Sequence, residues 1–390
     1  MELLPETSLP QDGTTGTLIA RVWLPGAAPG PAVAALRGHA VFVLGREAPT
    51  IADLIEAEDP AALVRRAPGT PVGTIAELLA NSVEDRRDPL RPFFLAPVDL
   101  QAIKAAGVTF AKSLLERVIE EQTKGDPAAA EGVRSTLARE IGADLAGVAP
   151  GSEAAARLKA VLVARGLWSQ YLEVGIGPDA EIFTKAQPMS AVGTGAGIGL
   201  HPASRWNNPE PEIVLVVSSR GRIVGASLGN DVNLRDFEGR SALLLSKSKD
   251  NNASCAIGPF VRLFDDSFTL DDVRRASVAL RVAGDDGFVL AGESSMRMIS
   301  RDPQALVAQT IGAAHQYPDG FVLFCGTMFA PTEDRDSPGE GFTHKRGDVV
   351  TISAKELGAL VNRVDTSDRL PPWRFGTRAL MQSLARRGLL

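Results

Sequence analysis

Apolar positions along this chain recur with two different periods. Residues 15–50 hold short runs of strand character, TLIARVWLPG, PAVAALRG and HAVFVLG, parted by glycine and proline. Between 50 and 90 the period lengthens to that of short helices, TIADLIEAE and TIAELLANS, each opened by a threonine in the N-cap position. These predict a small α/β domain over residues 1–90, followed by the proline-rich linker PLRPFFLAPVD. Residues 99–122 and 128–170 predict helices, a lid region in which VDLQAIKAAG stops at Gly107 and FAKSLLERVIEEQ carries an apolar stripe. From about 180 short strands alternate with loops rich in Gly, Asp and Asn: EIVLVVSS, IVGASLGN, SVALRVAG, GFVLAG, GFVLFCG and DVVTIS. The expected fold class is α+β, mostly β. A catalytic-sized domain over 91–390 would hold a β-rich core at 180–355, closed into a roll or sandwich, and a docking tail at 356–390 with an amphipathic helix.

One strand breaks the pattern at its mouth. In NNPEPEIVLVV, Glu210 and Glu212 stand just before the most apolar run of the chain. Side chains two apart on a strand point the same way, so the two carboxylates can converge. Asp231 follows the strand IVGASL, joined to the first by the turn SSRGR; an antiparallel pairing returns it to the same end. Three converging carboxylates repel one another unless a cation sits between them, and an all-oxygen set suits Mg²⁺ or Mn²⁺ better than zinc. The bland alternative is solvated strand ends paired with Arg205 or Arg235.

Composition narrows the field. The chain has 390 residues, 23% charged and 44% hydrophobic, which is ordinary for a folded domain. A net charge of −6 without a dense Lys/Arg cluster argues against nucleic acid as partner. The acidic start MELLPETSLPQDG lacks the regions of a signal peptide, and no apolar run reaches the length of a membrane helix. Cys255 and Cys325, far apart, suit a reducing cytoplasm. The four histidines are scattered, which removes HExxH and Cys/His zinc patterns. GTGAGIGL at 193–200 fits no phosphate loop and reads as a tight turn into a strand.

The segments around the acidic residues, WNNPEPEIVLVV, GNDVNLRD, LSKSKD, GTMFAPTEDR and HKRGDVVTIS, taken in order, resemble the fumarylacetoacetate hydrolase family. The resemblance implies a mixed β-roll with a small N-terminal domain, a homodimer or homotetramer, and Mg²⁺ (or Mn²⁺) on Glu210, Glu212 and Asp231. It places the family lysine at Lys247, the GT motif at Gly326–Thr327, and Arg235 and Asp236 as support for Asp231. Lys185, Ser294, Ser295 and Thr327 are candidates to bind a small 2-keto acid; for the serines, loop capping is the competing reading. The hydrolases' G-x-N-Y-x-x-H-x-x-E becomes GVTFAKSLLE here, so Ser113 replaces the histidine while Glu116 remains. Serine has no useful basicity near neutral pH, which breaks the water-activating pair. Within the family the chain is similar to the 2-keto-3-deoxy-pentonate dehydratases. That likeness implies a hydro-lyase giving 2-ketoglutarate semialdehyde, with Glu116, Lys247 and Ser113 as catalytic candidates. A C–C hydrolase of acylpyruvates or 2,4-diketo acids and a non-catalytic metal-binding scaffold are the alternatives.

Overall fold

The structure is a computed structural model that describes residues 1–390 except 131, 134, 136–147, 167, 330, 332 and 337–340. Along the chain come β1 (Leu18–Leu24), β2 (Gly30–Arg37), β3 (Ala40–Val43), β4 (Thr70–Thr74), β5 (Phe93–Leu95), β6 (Ala102–Ala106), β7 (Ile182–Ala186), β8 (Gly197–Leu200), β9 (Asn207–Asn208) and β10 (Pro211–Val217). They are followed by β11 (Ile223–Asp231), β12 (Asn233–Leu234), β13 (Cys255–Leu263), β14 (Ser277–Ala283), β15 (Val289–Ser295), β16 (Phe321–Phe324), β17 (Val349–Ala354) and β18 (Gly358–Thr366). One large sheet runs β4-β3-β2-β1-β13-β11-β10-β16-β6-β7, and a second runs β15-β14-β17-β18-β8. The expected mixed α+β architecture is present. No break separates the N-terminal strands from the rest: β1 pairs antiparallel with β13, so the sheet continues across the boundary expected near residue 90.

β10 shows why its sequence has no polar alternation. Ile213, Leu215 and Val217 face the core between the two sheets, with Val278, Leu280, Val350 and Ile352 opposite. Val214 and Val216 face the other core, under the helices Ile51–Glu56 and Pro60–Arg66. Each such side chain contributes roughly 1.5–3 kcal/mol by leaving water, so a strand buried on both faces is held firmly in register. The two threonine N-caps are present, each closed as a capping box, at Thr50 with Asp53 and Thr74 with Glu77.

One helical expectation needs correction. AIKAA at 102–106 is a strand, β6, lying between β16 and β7; tertiary pairing with β16 overrides a sequence of helical propensity. The helix expected across 128–170 lies partly outside the described residues; within it, Glu153–Ala164 is helical. Helix Ala111–Thr123 ends at left-handed Lys124, with the Gly125 amide donating to the Glu120 carbonyl. GTGAGIGL is the expected turn into β8, with Gly195 at φ +84°. The C-terminal helix Thr377–Arg386 docks on β2, where Ser383 donates to the Pro29 carbonyl. No helix among the described residues is long and apolar enough to cross a membrane.

Candidate active site

The antiparallel pairing of β10 with β11 sets Pro211 opposite Asn230 and Glu212 opposite Gly229. The Asp231 amide donates to the Glu210 carbonyl at 3.1 Å. Glu210, Glu212 and Asp231 therefore come together as the period-2 reading expected: carboxylate oxygens of all three lie within 4.8 Å of one another, and all three residues are buried. They stand in a cleft of about 580 Å³, partly open to solvent.

The three carboxylates are not equally satisfied. Glu210 meets Arg117 Nη2 at 2.5 Å and Lys249 Nζ at 3.2 Å. Asp231 Oδ1 meets Lys185 Nζ at 3.0 Å and Lys249 Nζ at 3.1 Å. Glu212 has only the Gly326 amide (2.7 Å) and the Thr327 hydroxyl (3.3 Å), and no cationic partner among the described residues. Burial, then Asp231 and Glu210, push its carboxyl well above the usual carboxylate range. A buried carboxylate in that position takes either a proton or a cation. Three convergent, buried carboxylate oxygens fit a hard divalent ion completed by water, so the residues present suit Mg²⁺ or Mn²⁺. The backbone at Gly326 is shaped for this role. It has φ +101°, and a Cβ there would lie 2.0 Å from Thr109 Oγ1, so only glycine presents its amide to Glu212.

A cationic wall faces the triad. Helix Ala111–Thr123 turns Ser113, Arg117 and Glu120 inward at spacings of four and three, while Leu114, Val118 and Ile119 pack outward on their own small core. Arg117 binds Glu210, Glu120 and Glu238 together. Burial opposes its charge, but Glu210 and Glu238 outweigh that and hold it protonated. Lys249 touches Glu210, Asp231 and Glu238, and the same contest leaves its ammonium well above the usual lysine range. Tyr171, Phe183 and Glu181 complete the walls.

Several expected residues stand elsewhere. Lys247 is exposed, with Nζ 5.6 Å from the Phe237 ring centre; the short helix Leu245–Lys249 turns Lys249 inward instead. Lys185 is fully buried behind Asp231 and donates to the Lys249 carbonyl, so it braces a carboxylate and does not line the cleft. Arg235 binds Glu116 (2.7 Å) and Glu120 (2.6 Å) over the Trp206 ring, while Asp236 accepts from Ser204 and the Arg205 amide. Lys185 and Lys249 take the place expected for Arg235 and Asp236 beside Asp231. Glu116 is thus engaged by Arg235 and does not line the cleft, whereas Ser113 does and donates to the Phe110 carbonyl. Ser294 and Ser295 end β15 away from the cleft; Ser295 accepts from the Arg297 amide, as the capping reading had it. Thr327 lines the cleft beside Glu212.

Residue-level reading missed Arg117, Glu181, Glu238 and Lys249. Arg117 was visible in principle, one helical turn after Ser113 on the same face. Lys249 was hidden by its neighbour, since KSKD offers two lysines two positions apart. Glu181 precedes β7 in a segment with no periodic signal. Gly107 marks it indirectly: its Cβ would lie 1.9 Å from Glu181 Oε2, so glycine there leaves room for that carboxylate.

Residues 170–365, half of the chain, match the sequence profile described as Fumarylacetoacetate (FAA) hydrolase C-terminal. A fold of two packed sheets with an acidic cleft at one end of β10 and β11 accords with that match, and the chain belongs to the fumarylacetoacetate hydrolase family. Among curated relatives, a 2-dehydro-3-deoxy-D-arabinonate dehydratase of Saccharolobus solfataricus is 30% identical over 187 residues, 47% of this chain and 58% of that protein. A probable 2-keto-3-deoxyxylonate dehydratase of Haloferax volcanii is 30% identical over 196 residues, 50% of this chain and 64% of that protein. The matches thus span less than two thirds of either relative. Among solved structures, 2-keto-3-deoxy-D-arabinonate dehydratase in its apo form superposes with a TM-score of 0.59 at 21% identity, over 90% of this chain and 99% of that one. The same enzyme complexed with magnesium and 2,5-dioxopentanoate gives 0.58 at 21% identity, with the same coverage. These likenesses show the fold.

Proposed function

We propose that this chain is a divalent-metal-dependent hydro-lyase that dehydrates a 2-keto-3-deoxypentonate to 2-ketoglutarate semialdehyde. The observation that carries the reading is Glu212, a buried carboxylate without a cationic partner among the described residues, converging with Glu210 and Asp231 in a cleft where serine stands for the hydrolases' histidine. Glu210, Glu212 and Asp231 would hold the ion. When bound, it supplies Lewis-acid stabilisation of negative charge at the substrate's 2-keto oxygen. Two dehydratases among the relatives support the substrate class.

The remaining work falls to this chain's own side chains. Dehydration removes a proton from C3 and the hydroxyl from C4 as water; the resulting double bond then moves along the chain to leave an aldehyde at C5. Glu181 lines the cleft, and burial followed by Glu238 raises its carboxyl to about 7. Near neutral pH it holds both protonated and ionised forms, so it can accept the C3 proton and return one to the departing oxygen. Lys249 stays an ammonium and serves to bind negative charge, not to take protons. Ser113 Oγ lines the cleft and can orient a substrate hydroxyl, but it activates no water. Glu116, held by Arg235, acts here as a brace for that arginine.

The test is to incubate protein and Mg²⁺ with 2-keto-3-deoxypentonates and with acylpyruvates and to follow products by NMR. An aldehyde-bearing 2-keto acid from the pentonate is the expected result. Pyruvate with a second carboxylic fragment would instead make C–C hydrolysis the activity.

A further inference from the structure

A second cleft lies between β1, β5 and the C-terminal segment that leads into helix Thr377–Arg386. It encloses about 820 Å³, part of it open to solvent, and its walls include Trp23, Phe94, Trp373 and Phe375. None of its lining residues lines the acidic cleft.

At its base is Arg21. The residue is buried, 5% exposed, yet it makes no ion pair among the described residues. Its Nη1 donates to the Val98 carbonyl at 3.0 Å and its Nη2 contacts Met189 Sδ at 3.2 Å. A guanidinium has five N–H donors, so most of its capacity has no protein acceptor among the described residues. Burial lowers its affinity for the proton, against the pull of Asp99. Arg87 adds a second cation, its Nε buried without a hydrogen-bond partner and its guanidinium 4.2 Å from the Phe93 ring centre. One carboxylate, Glu84, also lines the cleft, where it accepts the Gly197 amide at 2.5 Å. The lining therefore holds two cations against one anion.

Other buried arginines in this protein are matched either by a carboxylate, as Arg335 is by Asp348, or by several carbonyls, as Arg301 is by those of Val174, Gly177, Pro178 and Asp179, whereas Arg21 has one carbonyl and a thioether. A buried guanidinium facing an aromatic-walled cleft instead suits a ligand with a flat apolar body and one negative end. We propose that this cleft is a second binding site, taking a small aromatic carboxylate whose acid group meets Arg21 and whose ring lies between Trp23 and Trp373. Trp373 forms the outer wall, 46% exposed and tethered through Nε1 to the Phe375 carbonyl.

The probe is 2-naphthoate, with neutral 2-naphthamide as its uncharged counterpart, titrated into the full chain by calorimetry and by quenching of tryptophan fluorescence. Glu212→Gln serves as background so that the acidic cleft contributes no metal-dependent signal. The expected result is one saturable naphthoate site per chain, at least about tenfold tighter than naphthamide, because a charge-assisted pair is lost with the amide. Trp373→Ala, an exposed position, should weaken naphthoate at least several-fold. Arg21→Gln, if folded by circular dichroism, should abolish the preference for the acid. The proposal is overturned if naphthoate does not saturate, if acid and amide bind alike, or if Trp373→Ala leaves the affinity unchanged.

Discussion

Two buried acidic sites in this protein have been solved in opposite ways. At Asp348 both carboxylate oxygens are matched: Arg335 donates from both terminal nitrogens at 2.6 and 2.7 Å, His344 Nδ1 lies at 3.1 Å, and the Lys345 amide donates at 2.9 Å. Burial opposes ionisation there, yet Arg335 and His344 hold the carboxyl at about 2. At Glu212 burial is just as complete, but a backbone amide and a hydroxyl are all that answer it, and the carboxyl is pushed far upward. In the first arrangement the carboxylate's countercharge is complete. The second is unfinished without a cation. The difference teaches where chemistry belongs: it follows the deficit of countercharge, not the mere presence of buried acids.

The largest effect that would sharpen this contrast is metal removal. Activity should vanish in excess EDTA and return with Mg²⁺ or Mn²⁺, and Glu210→Gln or Asp231→Asn should each prevent the return; full turnover after chelation and dialysis would break the contrast outright. Next comes Glu181→Gln, which keeps shape and removes proton transfer, and should lower kcat by on the order of 10²–10⁴ while Mn²⁺ affinity stays nearly unchanged. The same carboxyl gives a pH signature in metal-free protein. Its folded value near 7 lies above the ordinary 4.5, so the folded state binds more protons across that window, and Glu181 takes stability away as pH rises through it. Thermal melts should therefore fall less for Glu181→Gln than for wild type between about pH 4.5 and 7.

Asp348→Asn probes the finished site. Arg335 would lose its closest acceptors but keep Asp286 at 3.2 Å, so the change should cost roughly 1–3 kcal/mol of stability, read by chemical denaturation, with turnover per folded molecule kept. The smallest effect distinguishes the two lysines. Lys247→Gln should leave kcat and KM within a few-fold of wild type, whereas Lys249→Gln should cost at least about tenfold in kcat/KM by removing a buried cation from three carboxylates.

How much of this was legible in the chain depends on the range of the interaction that decides it. Period-2 spacing and one tight turn bring Glu210, Glu212 and Asp231 together, so local rules sufficed for them. The threonine N-caps and the turn at Gly195 were legible for the same reason. β6 was not, because AIKAA becomes a strand through pairing with β7 and with β16, the latter more than two hundred residues onward. Lys249 and Lys247 differ only in which side of a short helix meets the protein, and sequence spacing does not carry that phase. Glu116 was read from its place in a motif; its pairing with Arg235, 119 positions away, is not carried by local spacing. Family likeness supplied the motif order, and packing decided which motif residue faces the cleft.

The most direct test is Mn²⁺ titration of metal-free protein followed by electron paramagnetic resonance. One site per chain in the wild type, lost in Glu212→Gln and kept in Asp348→Asn, is the predicted result. Equal Mn²⁺ binding by wild type and Glu212→Gln, or none by wild type, would contradict the reading of Glu212 as a ligand awaiting its cation.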